Sequence, residues 1–310
     1  MIKVEGLSKH FGQFCAVNDI SFSVQPGEVL GFLGPNGAGK STTMKMLTGF
    51  LTPSSGVISL AGHNVIAQPV AAQKILGYLP EGAPAYSDMT ARASLEFVGK
   101  VRGFVGQELK QKIAEVAEQV ALESVLDKRV ETLSKGYRRR LGLAQAIIHD
   151  PKVLILDEPT DGLDPNQKHQ VRKLIKNLAE DKIVIVSTHI LEEVTAVCTR
   201  AMILSSGKIL FDGTPEQLAA KSDYHNAVNV RSEDLNPELL MQLEALELVT
   251  EVERVSDTQI MIKPVAGASV LADVNKILHA NAVAIDALHV EAGRLDDVFR
   301  TLTLGGEQSL

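Results

Sequence analysis

The 310-residue sequence has two cysteines, no tryptophan and no long apolar segment. Cys15 and Cys198 are far apart and match no metal-binding or redox spacing, so we interpret them as buried thiols in a reducing cytoplasm. The longest apolar runs fall well short of the ~20 residues that a membrane-spanning helix needs. The first residues already have the pattern of folded chain, which argues against a secretory signal. These absences favour a cytoplasmic globular protein.

The sequence also lacks a basic tail or stripe. Its net charge is −7 at pH 7, and its basic residues are scattered apart from one run, Arg138, Arg139 and Arg140. Nucleic-acid partners are normally met by clustered Lys and Arg, so we expect none here. We interpret the three arginines as a partly solvated helix face. The hydrophobic content of 45% is enough for a full core in one large domain or two smaller ones.

One glycine-rich stretch matches the phosphate-binding pattern G-x-x-x-x-G-K-[ST] in full. Its residues are Gly34, Pro35, Asn36, Gly37, Ala38, Gly39, Lys40, Ser41 and Thr42. An apolar strand is predicted before it, and the helix after it would point its positive end at phosphates. Backbone N–H groups would hold the anion, with Lys40 on the β- and γ-phosphates and Thr42 near the α-phosphate. The Ser41 hydroxyl would bind Mg²⁺. The stretch predicts a nucleoside triphosphate site.

Four apolar runs end at side chains that can do chemistry. The runs are residues 29–33, 75–79, 153–156 and 183–186, and they lead to Lys40, Glu81, the pair Asp157 and Glu158, and His189. Alternation of such runs with helical periodicity predicts an α/β fold with a mainly parallel sheet, preceded by an antiparallel β segment. Ligands of open α/β sheets bind outside the carboxyl ends of the strands. We therefore expect all four groups to meet at one nucleotide.

Each of these groups has a chemical role that its position suggests. Asp157 would hold the water shell of Mg²⁺, although two adjacent acids can also simply cap a strand. Glu158 would be the general base that orients the attacking water. His189 would hydrogen-bond the γ-phosphate, although a lone His at the end of a strand can also be purely structural. Glu81 either reaches Mg²⁺ through water or is an ordinary solvated acid, and the sequence leaves both interpretations open.

A second segment, residues 133–137, precedes a predicted helix. Ser134 is a good N-cap residue, and Gly136 permits close approach of another group to the backbone. A helix N-terminus behind Ser and Gly can bind an anion. It can equally be a plain helix cap, and spacing alone does not decide between the two.

The order and spacing of these motifs resemble ABC-transporter nucleotide-binding subunits over about residues 1–220. The resemblance implies a P-loop ATPase fold, ATP and Mg²⁺ as cofactors, and a head-to-tail homodimer. Each ATP would lie between residues 34–42 of one subunit and Ser134 and Gly136 of the other. Phe11 would stack on adenine, unless it is an ordinary core or edge-strand residue. Asp164 would be the acid of the loop that communicates across the dimer.

Two departures from the family pattern accompany this resemblance. The family usually has Gln at the position of Glu81. Its signature is usually L-S-G-G-Q, whereas residues 133–137 here are L-S-K-G-Y, so Lys135 replaces Gly and Tyr137 replaces Gln. The sequences of residues 77–81 and 133–137 resemble those of the exporter branch that includes drug-export and gliding-motility ATP-binding subunits. This implies an ATPase at the inner face of the cell membrane, coupled to a separate permease. The alternative is a non-transport ABC ATPase acting on nucleic acid or ribosomes, which usually carries a second cassette or long inserts.

The chain is expected to have two domains. Residues 1–221 would form the nucleotide-binding domain, with a helical subdomain at about 82–150 that resembles the family's membrane-coupling part. Tyr86, Met89 and Phe97 would contact the permease or pack in the core. Residues 222–310 would form a small accessory α+β domain, in which no cluster of side chains suggests chemistry.

Overall fold

The computed structural model describes residues 1–305, which fold as two compact units that meet in sequence at Gly213 and Thr214. The sequence predicts this boundary after residue 221, eight residues later, and residues 306–310 of the predicted second domain lie outside the described residues. Along the described chain, no helix combines the length and the apolar character required to cross a membrane. Cys198 is buried as expected, whereas Cys15 is only partly buried.

The first unit contains two β-sheets. Its strands are β1 Ile2–Phe11, β2 Phe14–Val24, β3 Val29–Leu33, β4 Ser55–Leu60, β5 His63–Asn64, β6 Leu76–Leu79, β7 Val153–Asp157, β8 Ile183–Ser187, β9 Arg200–Ser205 and β10 Lys208–Gly213. The antiparallel sheet has the order β2-β1-β4-β5, and the larger sheet has the order β10-β9-β3-β8-β7-β6. Strands β9, β3, β8, β7 and β6 are parallel neighbours. The predicted parallel sheet and its N-terminal antiparallel segment are therefore confirmed.

Seven helices accompany these strands in the first unit. They are α1 Lys40–Leu47, α2 Pro69–Lys74, α3 Ala91–Val101, α4 Gly106–Gln119, α5 Lys135–Ile147, α6 Pro165–Ala179 and α7 Leu191–Val197. Helices α3, α4 and α5 form the predicted helical insertion between β6 and β7. The α4 face that was predicted from its spacing is buried, with Leu109, Ile113, Val116 and Ala117 all inside.

The core of this unit joins its two sheets. Strands β3, β7 and β8 are buried along their whole lengths, as their uninterrupted apolar sequences require. The ring of Phe22 on β2 packs edge-on against Phe32 on β3, with ring centroids 5.3 Å apart. This packing holds the carboxyl ends of the parallel strands in fixed positions relative to one another.

The second unit has its own sheet and core. Its elements are α8 Pro215–Ala219, β11 Val228–Arg231, α9 Pro237–Glu244, β12 Val249–Ser256, β13 Gln259–Pro264, α10 Leu271–Ala280, β14 Ala287–Val290 and α11 Leu295–Gly305. The sheet is antiparallel in the order β12-β13-β11-β14, so β11 to β14 with α9 and α10 form a ferredoxin-like β-α-β-β-α-β arrangement. Val230, Ile260 and Leu239 lie in its buried core.

Two details of the second unit differ from the sequence analysis. The predicted strand at 283–290 is a strand only at Ala287–Val290. Strand β12 was not predicted, because it is an edge strand with few buried side chains and carries Glu251 and Glu253. Its pairing with β13, rather than its own apolar pattern, fixes it as a strand.

Candidate functional site

The glycine-rich loop connects β3 to α1 and wraps around the side chain of Lys40. The Lys40 ammonium donates hydrogen bonds to the carbonyl oxygens of Gly34 and Pro35, at 2.6 and 3.1 Å. Gly39 has a φ of +104°, and a Cβ there would lie 2.6 Å from the Ala16 carbonyl oxygen, so only glycine fits. Lys40 is only 8% exposed. The loop thus presents a buried positive charge.

Three predicted acids surround this charge. Burial lowers the pKa of Lys40 below its usual value, while the carboxylates of Glu158, Asp157 and Glu81 act in the opposite direction. Burial, with Asp157 and Glu81 nearby, raises the pKa of Tyr78 to about 12. The structure therefore brings together the charged groups that follow β6 and β7 with the lysine that follows β3.

Asp157 and Glu158 are positioned by Ser187 on the adjacent strand β8. Asp157 is 3% exposed and accepts a hydrogen bond from the Ser187 hydroxyl. The Glu158 N–H donates to the backbone and hydroxyl oxygens of Ser187, at 3.1 and 3.2 Å. Glu158 has a φ of +53°, a left-handed conformation that is strained for a residue with a side chain. These bonds hold the strained turn in place.

His189 contacts Glu158 directly. Its Nδ1 lies 2.9 Å from Glu158 Oε2, with the ring exposed and the carboxylate mostly buried. The two residues follow β7 and β8, which are parallel neighbours. Glu158 and His189 were expected to meet because the strands before them end at the same edge of the sheet, and in the structure they are in contact.

The interpretation of the three arginines as a solvated face is wrong for two of them. Arg139 and Arg140 are buried, and only Arg138 is exposed. The Arg139 guanidinium donates to the carbonyl oxygens of Asp157 and Glu158 and, at 3.2 Å, to that of Pro80. It therefore links α5 to the ends of β6 and β7. A run of like charges suggested a solvent-exposed helix face. The helical period, however, places Arg139 on the same face as the buried Gly142 and Ala146.

The start of α5 contacts the loop before α6. The Ser134 hydroxyl caps α5 by accepting from the Tyr137 N–H at 3.2 Å. The ammonium of Lys135 lies 2.9 Å from the Asp161 carboxylate, and this pairing lowers the pKa of Asp161.

Gly136 and Asp164 belong to the same contact between α5 and α6. A Cβ on Gly136 would lie 2.4 Å from Gln167 Oε1, so the α6 side chain comes very close to this glycine. Asp164 caps α6 by accepting from the Gln167 N–H at 2.9 Å. Ser134, Gly136 and Asp164 thus form a group of their own at the helix starts.

Phe11 ends β1 at the turn into β2. Its ring is 49% exposed, and Lys9 Nζ lies 5.2 Å from the ring centroid. The interpretation of Phe11 as a core residue is therefore wrong, because about half of the residue is accessible from outside.

Two site residues were not predicted at all. Ser187 and Glu193 position the loops after β7 and β8, and neither belongs to a recognisable motif in the sequence. Their only signals are a polar residue at the end of an apolar run and an acid in the first turn of a short helix. Both signals are common, so they point to no particular role.

A self-contained metal site is not present among residues 1–305, since no three His, Cys, Asp or Glu side chains are suitably grouped. The candidate ligands Ser41, Asp157 and Glu81 nevertheless all offer oxygen. Mg²⁺ prefers oxygen and commonly binds through one or two protein groups together with substrate phosphates. The donor set therefore fits Mg²⁺ that arrives with a nucleotide.

Comparison with known proteins places this arrangement in a family. A family profile described as ABC transporter matches residues 17–161. The linearmycin resistance ATP-binding protein LnrL of Bacillus subtilis is 32% identical over 305 residues, which cover 98% of each chain. The chain belongs to the ABC transporter ATP-binding proteins. This membership confirms the resemblance that its motifs indicated.

Further ABC proteins agree with this assignment. The Nod factor export ATP-binding protein I of Rhizobium sp. (strain N33) is 40% identical over 218 residues, covering 70% of this chain and 72% of that protein. A solved bacterial ABC transporter cassette, described as dimeric, has a TM-score of 0.65 and 23% identity, covering 69% of this chain and 99% of that one. The fold is that of an ABC ATPase cassette, as predicted, and the chain is an ATP-binding and ATP-hydrolysing subunit of an ABC transporter.

Proposed function

We propose that this ABC ATPase powers an exporter whose membrane permease is a separate polypeptide. The named relatives that support the direction of transport are a resistance protein and an export protein. The match to the resistance protein extends over the second unit as well as the cassette. The observation that carries the hydrolytic part is the 2.9 Å contact between Glu158 and His189 beside the buried Lys40.

In this proposal the phosphates of ATP bind in the loop of residues 34–42. The Lys40 ammonium, now bonded to the Gly34 and Pro35 carbonyls, turns to the β- and γ-phosphates. Little reorganisation is needed, because the charge already lies inside the loop. The exposed ring of Phe11 stacks on the adenine.

Mg²⁺ accompanies the nucleotide in this proposal. The Ser41 hydroxyl and the Asp157 carboxylate would hold it, with Glu81 acting through water. When bound, the ion neutralises charge on the phosphate oxygens. Ser187 keeps the Asp157 carboxylate in place through its hydroxyl.

Glu158 is the general base for attack of water on the γ-phosphate. One carboxylate oxygen is held by His189, which leaves the other to accept the proton of the attacking water. The backbone of Glu158 is fixed by Ser187, and the contact with His189 holds the carboxylate in this position. When the γ-phosphate is present, the second ring nitrogen of His189 donates to it, so in this state both ring nitrogens carry a proton, one donated to Glu158 and one to the phosphate.

A second copy of the chain completes each site, in a head-to-tail homodimer. Ser134 is exposed at the positive end of α5, whereas Gly136, in the first turn, is buried against Gln167 of α6. This helix start binds the γ-phosphate of the partner's ATP. Asp164, at the start of α6, transmits the state of one site to the other across the interface.

The permease docks in a groove of the first unit, which would keep the protein peripheral at the inner face of the membrane. The groove lies between α2 and α3 and is lined by the exposed apolar side chains of Phe50, Val70, Phe97 and Val101. An amphipathic helix of the permease would cover these side chains. Tyr86 contacts the Phe97 ring, with centroids 6.0 Å apart, and extends this surface.

Affinity purification from detergent-solubilised membranes tests the transport assignment. We expect the tagged chain to retain a multi-span membrane protein, and the double variant Phe50→Asp with Val101→Asp to lose it. Val105→Asp is the matched control, since Val105 is exposed outside the groove. Consistent absence of any membrane protein, with nucleic acid or ribosomes recovered instead, would contradict the proposal.

A further inference from the structure

A buried carboxylate lies behind the Glu158–His189 pair. Glu193, in α7, is 3% exposed. One of its oxygens accepts a hydrogen bond from the Thr188 hydroxyl at 2.7 Å, and the other accepts from the Thr160 hydroxyl. Both threonines are fully buried as well. The carboxylate thus joins two hydroxyl groups that come from different loops.

The two threonines belong to the loops that carry the reacting groups. Thr160 follows Glu158 by two residues, and Thr188 immediately precedes His189. The Thr188 hydroxyl also accepts from the Ile190 N–H at 3.0 Å, so it holds the chain on both sides of His189. The Thr188 N–H donates to the Phe32 carbonyl of β3, also at 3.0 Å. Glu193 therefore connects both loops to the strand that leads into the phosphate loop.

Among residues 1–305, only one cation lies within ion-pair distance of this carboxylate, and it does so at the outer limit of that distance. The nearest cation is Arg172, whose Nη2 lies 4.0 Å from Glu193 Oε1. Burial raises the pKa of Glu193, which means that the surroundings disfavour its charge. An acid kept inside under these conditions depends on its hydrogen bonds to the two threonines.

We propose that Glu193 is a positioning residue for ATP hydrolysis. Its two oxygens fix Thr160 and Thr188 and thereby set the distance and orientation of Glu158 and His189. The inference rests on the roles proposed above for these two residues. It adds a residue that touches neither nucleotide nor water and acts through the loops.

The variant Glu193→Gln tests this directly while keeping the shape of the side chain. A carboxylate accepts from both hydroxyls, whereas an amide offers only one oxygen and turns an NH₂ toward the other. At that hydroxyl the hydrogen bond must reverse its direction or break, which loosens one of the two loops. We expect kcat for ATP hydrolysis by the purified full-length chain to fall about 10- to 100-fold, with KM for ATP within about twofold. Glu192→Gln, at the exposed neighbouring position, should keep normal kinetics.

Hydrogen exchange separates positioning from general destabilisation. In Glu193→Gln, amides of residues 158–164 and 188–193 should exchange faster, while those of β3 and α1 keep their protection. A uniform increase over the whole first unit would overturn the proposal, because the loss of activity would then reflect unfolding. Unchanged exchange in both loops would overturn it as well.

Double variants identify the pathway of the effect. If Glu193 acts through the pair, its substitution adds little to the loss caused by His189→Ala. Losses in kcat that multiply, or wild-type kcat in Glu193→Gln, would overturn the inference. Glu158→Gln measured alongside keeps the two claims apart. If it is inactive while Glu193→Gln is normal, only the positioning role fails, whereas normal turnover in Glu158→Gln overturns both.

Discussion

At the scale of single residues, the site depends on groups that are each held in place by hydrogen bonds to neighbouring residues. Asp157 and Glu158 are fixed by Ser187, and Lys40 is enclosed by its own loop. Such fixed groups lower a reaction barrier because they need not reorganise when charge develops. Substitutions that preserve shape are therefore the informative ones.

Replacing Glu158 by Gln should lower ATP turnover by about 10²- to 10⁴-fold, because the base is lost while the side-chain shape is kept. ATP affinity should survive, since the phosphate loop is unchanged. Phosphate release and binding of a fluorescent ATP analogue measure the two quantities, with Glu192→Gln as the exposed control. Normal turnover would remove Glu158 from the role of base.

Replacing Lys40 by Ala should severely weaken ATP binding or hydrolysis, because the phosphates lose the positive charge that the loop encloses. Lys45→Ala serves as the control, since Lys45 is exposed on the same helix. The two variants can be compared by titration with the same ATP analogue and by phosphate release. Equal affinity and rate in both would argue against the assignment of the phosphate loop.

At the scale of secondary structure elements, α5 is tied to the sheet at both of its ends. Arg139 near its start donates to carbonyls at the ends of β6 and β7. His149, just after its last turn, bonds the Leu76 carbonyl of β6 through Nε2 at 3.0 Å. Helix α5, which Ser134 caps, therefore cannot move without the strands that carry the acids.

His149 makes this attachment sensitive to pH. Burial, with Arg102 nearby, lowers the pKa of His149 to about 4, and its Nδ1 is buried without a hydrogen-bond partner. The folded state disfavours the proton, so the stability contributed by neutral His149 is present above pH 6.5 and is lost as the pH falls toward 4.

The variant His149→Gln should therefore lose less stability than wild type between pH 7 and pH 5. The largest difference, near pH 4, is on the order of 3 kcal/mol in the free energy of unfolding. Urea unfolding at several pH values measures it, with the exposed His169→Gln as the control. Parallel pH profiles for wild type and His149→Gln would contradict the assignment.

Much of the element pattern could be predicted from sequence because it is encoded locally. Apolar runs that end in Lys40, Glu158 or His189 show both the strands and the edge of the sheet at which they meet. Arg139 and Glu193 were not recognised, because the carbonyls that Arg139 contacts and the Thr160 hydroxyl that Glu193 contacts lie at least 18 residues away in the sequence. Strand β12 was missed for a similar reason, since its pairing partner and not its own composition makes it a strand.

At the scale of the whole molecule, the chain combines an ABC cassette with a separate ferredoxin-like unit. Each unit has its own buried core. Ser134 and Asp164, at the starts of α5 and α6, form a group that is distinct from Lys40 and the acids around it. A site that is completed by a second copy of the chain requires two such separate groups.

We expect Glu158→Gln to form a stable dimer in the presence of ATP, because binding closes the interface and hydrolysis cannot reopen it. Size-exclusion chromatography with light scattering measures the mass. Adding Ser134→Arg should restore the monomer, since a long side chain at the start of α5 blocks the partner's phosphate. Gln107→Arg places the same residue on the exposed side of α4 and should leave the dimer intact. Dimers that persist with Ser134→Arg would contradict the proposed interface.

The left-handed backbone conformation of Glu158 affects whether mutant alleles of this residue are dominant or recessive. Asn and Gly tolerate this conformation better than Glu does, so the substitutions that remove the carboxylate most completely also relieve backbone strain. Such variants should therefore fold and should still pair with normal copies. In the proposed dimer each would disable one of two coupled sites. Mutant alleles at this codon should therefore be dominant over a resident wild-type gene.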